Sequence, residues 1–311
     1  MQAGNPFYVI VIRRLLYLIP VALAVSLLAF AIMHLAPGDP AKLMAGENAS
    51  PEELRLVERR LGLDQPLYIQ YFTFARNLVL LDLGTSFRTG QPVREEILTR
   101  LPATLHLGGT ALVMSVLAGI PIGIIAATRP YSAWDNIVMT LAMVGVSVPI
   151  FVLGYLLILV FANYLGLFPT FGRSGMTSVI LPGVALATNS AALLARMTRS
   201  VMLEVLSEDY VRTARAKGLS SGVVLVRHAL ATASMPLITL VGLQLALIVS
   251  GTVVTETVFS WPGIGRFLIN SVHARDFPAI QGTVVFIAVF IVLANLIVDL
   301  TYLWLDPRVR L

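Results

Sequence analysis

The chain has no cysteine, which excludes disulfides, iron–sulfur clusters and thiolate metal sites and leaves the fold to stand on packing. Charge is also scarce: 13% of the 311 residues are Asp, Glu, Lys or Arg, against 57% hydrophobic. Lysine occurs only at Lys42 and Lys217, each after an alanine. The Gly-Lys-Ser/Thr core of a phosphate-binding loop therefore cannot form, and the chain hydrolyses no nucleotide by that route. His34, His106, His228 and His273 are far apart and lack metal-ligand spacing, so no metal site is expected. The net charge of +5 is spread between apolar runs without interleaved aromatics, which argues against nucleic acid as a partner. Gly218-Leu-Ser220-Ser-Gly222 has the spacing of a nucleophile elbow, but that turn needs a preceding strand and an α/β sheet. Here the serine follows a charged helix, and no catalytic residue is assigned.

What the sequence does have is apolar length. A crossing helix needs ~20 mostly apolar residues, and six windows supply them: Leu15 to His34, Thr104 to Ala127, Ile137 to Ala162, Thr177 to Ala195, Pro236 to Thr255 and Gly282 to Leu305. The expected fold is an all-α integral membrane protein of six spans. Residues 1–36 hold the N-terminus and first span, 37–103 a small helical extracytoplasmic insertion, and 104–311 a core of five spans with a cytoplasmic connector at about 198–235. The first window resembles a signal peptide in following Arg13 and Arg14, yet it exceeds the ~7 to 15 residues of such a segment and reads as a retained anchor.

Positive charge resists translocation. Arg13, Arg14, Arg129, Arg196, Arg199, Arg212, Arg215, Lys217, Arg227, Arg308 and Arg310 fall on one side, which is expected to be the cytoplasm and to hold both termini. In the insertion, Ser50-Pro51-Glu52-Glu53 is a capping box ahead of a helix that Gly62 ends, and a second helix starts near Pro66 with Leu67, Tyr71 and Phe74 as its apolar stripe. This unit reads as a lid on the spans, or alternatively as a receiving surface for a partner protein.

Between the fourth and fifth windows lies a charged helix from Glu208 to Lys217. Ser207 is expected to cap it, Glu208 and Asp209 suit its positive start, Arg212, Arg215 and Lys217 its negative end, and Gly218 its left-handed stop. Thr213, Ala214 and Ala216 leave room for another protein to close on it. Within the spans, Ser147, Thr188, Asn189, Ser190 and Gln244 are polar candidates for a passage, since buried polarity needs partners or a water-filled path. Glu256 stands at the outer end of the fifth span, as a gate or a solvated helix end. Trp261-Pro-Gly-Ile-Gly265 cannot continue as a regular helix and reads as a plug or docking surface. Pro121 within Gly119-Ile-Pro-Ile-Gly123 marks a kinked, closely packed second span, and Asp299 reads as a partner for an arginine near the inner interface.

Several of these stretches together resemble one family. They are Arg13-Arg-Leu-Leu with Ile19-Pro20, His34-Leu-Ala-Pro-Gly-Asp-Pro40, Leu61-Gly-Leu-Asp-Gln-Pro66, Glu204 through Leu219, Glu256-Thr-Val-Phe-Ser-Trp-Pro-Gly-Ile-Gly-Arg266 and Asp276-Phe-Pro. The chain is similar to permease subunits of ATP-driven importers for dipeptides, oligopeptides, glutathione and nickel. In that family the segment ending at this glycine is the coupling loop, seated in a groove of the cytoplasmic ATPase. Arg212, Thr213, Ala214 and Gly218 occupy the positions of the motif's Glu, Ala, Ala and Gly, so only the second alanine and the glycine match. The motif's later Leu-Pro is displaced, with Leu230-Ala231 in its place and Pro236 further on.

The resemblance implies an inner-membrane permease without its own ATPase site, with Ser207, Glu208, Asp209, Arg212, Ala214, Arg215 and Gly218 as the coupling set. It implies a second homologous permease chain in a heterodimer, two ATPase subunits that bind ATP and Mg, an extracytoplasmic substrate-binding protein, and surrounding membrane lipid. Di- or oligopeptides are the favoured cargo, with glutathione or nickel as alternatives. An ion-coupled carrier acting alone is the rival from another class, although the spans are almost free of the ionisable groups that such carriers use.

Overall fold

The structure, a computed structural model, describes residues 7–35, 40–46 and 49–305, and their side chains except those of 7–15, 17–18, 245–247, 249–250 and 299–305. Among the described residues every regular element is helical, apart from a β-bridge between Thr85 and Pro92. In chain order the helices are α1 (Phe7–Leu35), α2 (Pro40–Ala45), α3 (Pro51–Leu61), α4 (Leu67–Val79), α5 (Val93–Thr128), α6 (Ala133–Ser147) and α7 (Ile150–Leu157), the last continuing as a π-helical stretch at Ile158–Tyr164. A 3-10 turn at Met176–Val179 leads into α8 (Ile180–Ser207), followed by α9 (Asp209–Ala216) and α10 (Ser221–Val223) with a π-helical stretch at Val224–Ala229. Then come α11 (Leu230–Val258), α12 (Ile264–His273) and α13 (Phe277–Leu305).

Four helices among the described residues are long and apolar enough to cross a membrane: Val93–Thr128, Met176–Ser207, Ser221–Gln244 and Phe277–Val298. The window expected to be one span at Ile137 to Ala162 is instead two helices, α6 and α7, bent by 103°. The cause is local. Val148 precedes a proline and takes extended backbone at φ −78°, ψ 122°, while Pro149 lacks the N–H that would continue the ladder. Counting that pair as one gives up to five candidate spans, and in α1 only Ile19–Leu35 is described as an apolar helix.

The chain packs as two compact units. Of the described residues, one unit comprises those of 103–262 with 294–305 and Phe7, the other those of 8–102 with 263–293. At the heart of the first unit is α8, which touches α6, α7 and α11. Its buried residues include Leu186, Ala187, Leu194, Ala195 and Met202. Lipid tails are as apolar as leucine, so helix pairing in a bilayer depends on close fit rather than on hydrophobic expulsion. The fit is made at glycines. A Cβ on Gly119 would lie 2.6 Å from the Ala191 carbonyl oxygen and 2.8 Å from Leu194 Cβ, and one on Gly123 would collide with the Ala195 carbonyl.

In the second unit α3 begins as its sequence implies. Ser50 Oγ accepts from Glu53 N–H at 3.3 Å, Glu53 Oε2 accepts from Ser50 N–H at 2.8 Å, and Gly62 ends the helix at φ +71°. The Ser50 N–H, and after it the Ser50 hydroxyl that donates to the same Oε2 at 2.9 Å, hold the Glu53 carboxyl below its ordinary range. Asp276, just before α13, gathers the loop 86–88: its carboxylate accepts from Ser86 Oγ at 2.5 Å, Phe87 N at 3.1 Å and Arg88 N at 3.4 Å. Val93, Ile97, Ile264, Phe267 and Ala279 form the adjoining core. Asp299 lies on α13, with its side chain outside the described residues.

Gly119→Ala and Gly123→Ala should each destabilise the protein by about 2 kcal/mol through overpacking. Gly109→Ala, where an added Cβ meets nothing within 4 Å, should be silent. Thermal unfolding of the detergent-solubilised protein checks this, and equal behaviour of all three would contradict the close approach.

Candidate coupling helix and translocation path

The boundary between α8 and α9 differs from expectation. Ser207 is the last residue of α8 rather than the cap of α9. Its hydroxyl donates to the Glu204 carbonyl at 2.7 Å, a local back-bond compatible with continued helix. The turn falls at Glu208, whose extended backbone (φ −66°, ψ 146°) opens α9 without a side-chain cap. At the other end Gly218 takes φ +80°, its N–H donating to the Arg215 carbonyl at 2.9 Å, which is the left-handed stop that glycine makes inexpensive.

The register of α9 sorts its residues. Val211 is 0% exposed and Ala214 7%, and both pack with Val224 and Leu206. Ala214 is thus committed to its own chain, and the room it was expected to leave for another protein is already filled. Glu208, Asp209, Arg212, Thr213, Arg215, Ala216 and Lys217 are exposed. Arg212 and Asp209 approach to 3.4 Å with side chains 80% and 94% exposed, a pair that contributes little by itself. Tyr210 Oη donates to Thr232 Oγ1 at 2.9 Å, tying α9 to α11. The result is a short charged rod on an apolar seat.

A second contact, which the sequence reading missed, joins α8 to α6. Arg199 Nε donates to Asp135 Oδ1 and its terminal amino group to Oδ2, each at 2.6 Å, while Tyr131 N–H adds a bond to Oδ2 at 2.9 Å. Asp135 is 2% exposed. Ser132 caps the start of the same helix, its Oγ accepting from the Asp135 N–H at 3.2 Å. A bidentate guanidinium–carboxylate fork is geometrically specific. The spacing Ser132-Ala-Trp-Asp135 ahead of an apolar run was the available signal. Arg199 was read only as one of the inside charges.

The polar candidates divide into three settings. Ser147 ends α6, exposed, its hydroxyl donating to Met143 O at 2.9 Å. Asn189 of α8 donates to Val146 O at 3.4 Å, and the neighbouring Thr188 bonds to Val184 O at 2.7 Å. These three therefore meet beside the bend at Pro149. Ser190 and Gln244 are 5% and 2% exposed and lie inside the packed helices. Glu256 and Trp261 form the third setting, both fully buried. Glu256 accepts from the Thr104 hydroxyl at 2.6 Å, Trp261 Nε1 donates to Ala103 O at 2.8 Å, and Trp261 N–H donates to Glu256 O at 2.8 Å. The Arg173 guanidinium stands 5.9 Å from the indole.

A solvated helix end at Glu256 and an outward docking surface at Trp261 are both replaced by this buried knot. The reason is the turn after α11, where Ser260 adopts φ +50° and folds the indole back onto α5. No cluster of three or more metal-ligating side chains occurs among the described residues.

Comparison with known proteins places this geometry in context. Residues 119–311 match the family model described as binding-protein-dependent transport system inner membrane component, and residues 7–108 match that of its N-terminal region. The dipeptide transport system permease protein DppB of Alkalihalophilus pseudofirmus is 42% identical over 326 aligned residues, covering 96% of this chain and 98% of the relative. The glutathione transport system permease protein GsiC of Escherichia coli K12 is 45% identical over 300, with the same coverage. Among solved structures, the inward-facing MetNI methionine ABC transporter shares the fold, with a TM-score of 0.57 at 17% identity, over 68% of this chain and 96% of that one.

Asp135→Ala should cost about 3 kcal/mol of stability, because it strands a largely buried guanidinium. The double variant Asp135→Ala/Arg199→Leu should regain part of that loss. Unfolding midpoints of Asp135→Ala, Arg199→Leu and the double variant decide the matter, and a double variant no better than the sum of its singles would show that the fork is not coupled.

Proposed function

The chain belongs to the family of binding-protein-dependent transport system inner membrane components, and from that premise we propose that it forms half of the pore of an ATP-driven importer of di- or oligopeptides. It is a membrane permease subunit of the peptide and glutathione class of ABC importers. The observation that carries the mechanism is α9, a charged rod whose inner face, Val211 and Ala214, is fixed to its own chain while Glu208, Asp209, Arg212 and Arg215 face outward.

In this mechanism an extracytoplasmic binding protein delivers the substrate, and a second homologous permease chain supplies the other half of the pore. Two cytoplasmic ATPase subunits bind ATP and Mg, and each permease seats its rod in one of them. Both termini lie in the cytoplasm, as the distribution of arginine implies. Closure of the ATPases displaces α9, α8 follows because Ser207 continues straight into the turn at Glu208, and the Asp135–Arg199 fork carries α6 along. The motion then reaches the bend at Pro149, where Ser147, Thr188 and Asn189 line the path. Switching such a gate from 1:99 to 99:1 takes about 5.5 kcal/mol of differential binding, so a docked rod must be held firmly. A peptide cargo suits this path, since uncharged hydroxyls and an amide bond a peptide backbone without trapping it, and the permease relatives named for dipeptides and glutathione both carry peptide-like solutes.

In the assembled transporter, Arg212→Glu with Arg215→Glu should lower receptor-stimulated ATP hydrolysis about tenfold, equivalent to ~1.4 kcal/mol of docking energy, with the unfolding midpoint unchanged. Undiminished stimulation would remove α9 from the docking role. In the same assay a dipeptide should raise turnover more than glutathione or nickel does. Uphill transport by the lone chain in liposomes under an ion gradient would favour the carrier reading instead.

A further inference from the structure

The second helix of the insertion lies along α1. Gln70 Oε1 is 3.1 Å from His34 Nε2, Tyr71 Oη is 3.1 Å from Ser26 Oγ, and the Phe30 ring lies edge-on to Tyr71 at 5.5 Å and tilted against Phe74 at 6.0 Å. Beyond these contacts Ala75, Leu78 and Val79 share a cavity wall with Ile19, Leu23 and Ser26 of α1. Gln70 meets α1 at His34, Tyr71 at Phe30 and Ser26, and Phe74 at Phe30, so α4 starts at the C-terminal end of α1 and heads toward its middle. From His34 down to Ser26, the span of α1 that these contacts cover, is about 12 Å of helix, over a third of the ~30 Å hydrocarbon thickness. The chain then returns: Leu83 and Gly84 sit against Gly282 and Pro278 in the first turns of α13.

The cavity between α1, α4 and α13 has a volume of about 390 Å³. Among the described residues Ser26 is the one polar side chain in its wall, and its hydroxyl is engaged with Leu23 O at 2.9 Å as well as with Tyr71. On α13 the wall is Val285, Ala288, Val289, Val292 and Leu293. Where α4 turns back, Val79, Leu80 and Leu81 are 82%, 64% and 61% exposed. Three consecutive apolar residues at an exposed tip are unfavourable in water and favourable in lipid. Arg76, exposed on the same helix, has the long stem that carries a guanidinium back to the phosphate layer. Asp82 lies where the chain climbs out, its carboxylate accepting from Gly84 N–H at 3.0 Å.

We propose that α4 is a re-entrant membrane helix and that the groove it forms with α1 and α13 holds an acyl chain of a bilayer phospholipid. The argument rests on α1 and α13 being membrane spans, which makes lipid tails the medium around the groove. It replaces the lid expected for this part of the insertion with an element dipped into one leaflet. The groove has the chemistry of hydrocarbon and offers a peptide or an anion nothing to bond.

The cysteine-free sequence makes the test direct. Leu80→Cys and Ala288→Cys are each made in the full chain and studied in the assembled transporter in nanodiscs, with Thr89→Cys in the exposed loop as reference. Leu80→Cys should react at least tenfold more slowly than Thr89→Cys with a membrane-impermeant maleimide. A bimane label at Leu80→Cys or Ala288→Cys should be quenched by phosphatidylcholine carrying a mid-chain nitroxide more than by aqueous iodide. Rapid maleimide labelling or dominant iodide quenching at position 80 would overturn the re-entrant helix. A label at position 288 that lipid quenches in the lone chain but not in the assembled transporter would assign the groove to the second permease subunit and overturn the acyl-chain site. None of these readouts depends on transport, so they stand apart from the function proposed above.

Discussion

Inside a bilayer, helices gain nothing by hiding apolar surface from one another, so the pairs that form are those whose backbones can approach most closely. Around α8 that approach is bought with glycine. Gly119 and Gly123 bring α5 onto the Ala191 to Ala195 stretch, and Gly251 brings α11 so near Leu186 that an added Cβ would lie 2.8 Å from its Cδ1. Everything attributed to the first unit depends on this enclosure of α8. The helix carries Thr188 and Asn189 at mid-length, Arg199 further on, and the turn into α9 at its end.

This continuity explains why a charge pair is retained where hydrophobic residues would pack as well. Replacing a buried ion pair by apolar residues is often neutral for stability, so the Asp135–Arg199 fork is better understood as a directional joint. It fixes the start of α6 to one point on α8, and the other end of α6 is the bend at Pro149. The Glu256, Thr104 and Trp261 knot does similar work at the far end of α11, holding the point where the helix stops against the start of the core segment of α5.

The sequence disclosed what local chemistry determines. The helical, apolar character of the chain, the capping box at Ser50, the left-handed stop at Gly218 and the tight packing around Gly119 and Gly123 each follow from residue type and spacing and appear in the structure, whereas the six windows become four candidate spans, or five with the bent pair at Pro149. It was silent where tertiary partners decide. Ser207 has the chemistry of a cap yet ends the preceding helix, because which of two abutting helices claims a serine depends on the backbone after it. Ala214 looked available because small residues suit interfaces, and only the register of α9 against Val224 reveals that it faces inward. Position in the chain suggests an aqueous mouth for Glu256 and Trp261, whereas Glu256 is buried on α11 against Thr104 and the positive φ at Ser260 folds Trp261 back onto Ala103. The fork escaped notice because Asp135 and Arg199 are 64 residues apart.

The two-faced construction of α9 separates folding from recognition. Val211 and Ala214 pack against their own chain and Tyr210 bonds to Thr232, while Glu208, Asp209, Arg212, Thr213, Arg215, Ala216 and Lys217 are left exposed. Substitutions on the outer face should therefore leave the fold unchanged, and if α9 docks as proposed, a lineage would be free to retune its partner without rebuilding the helices behind it.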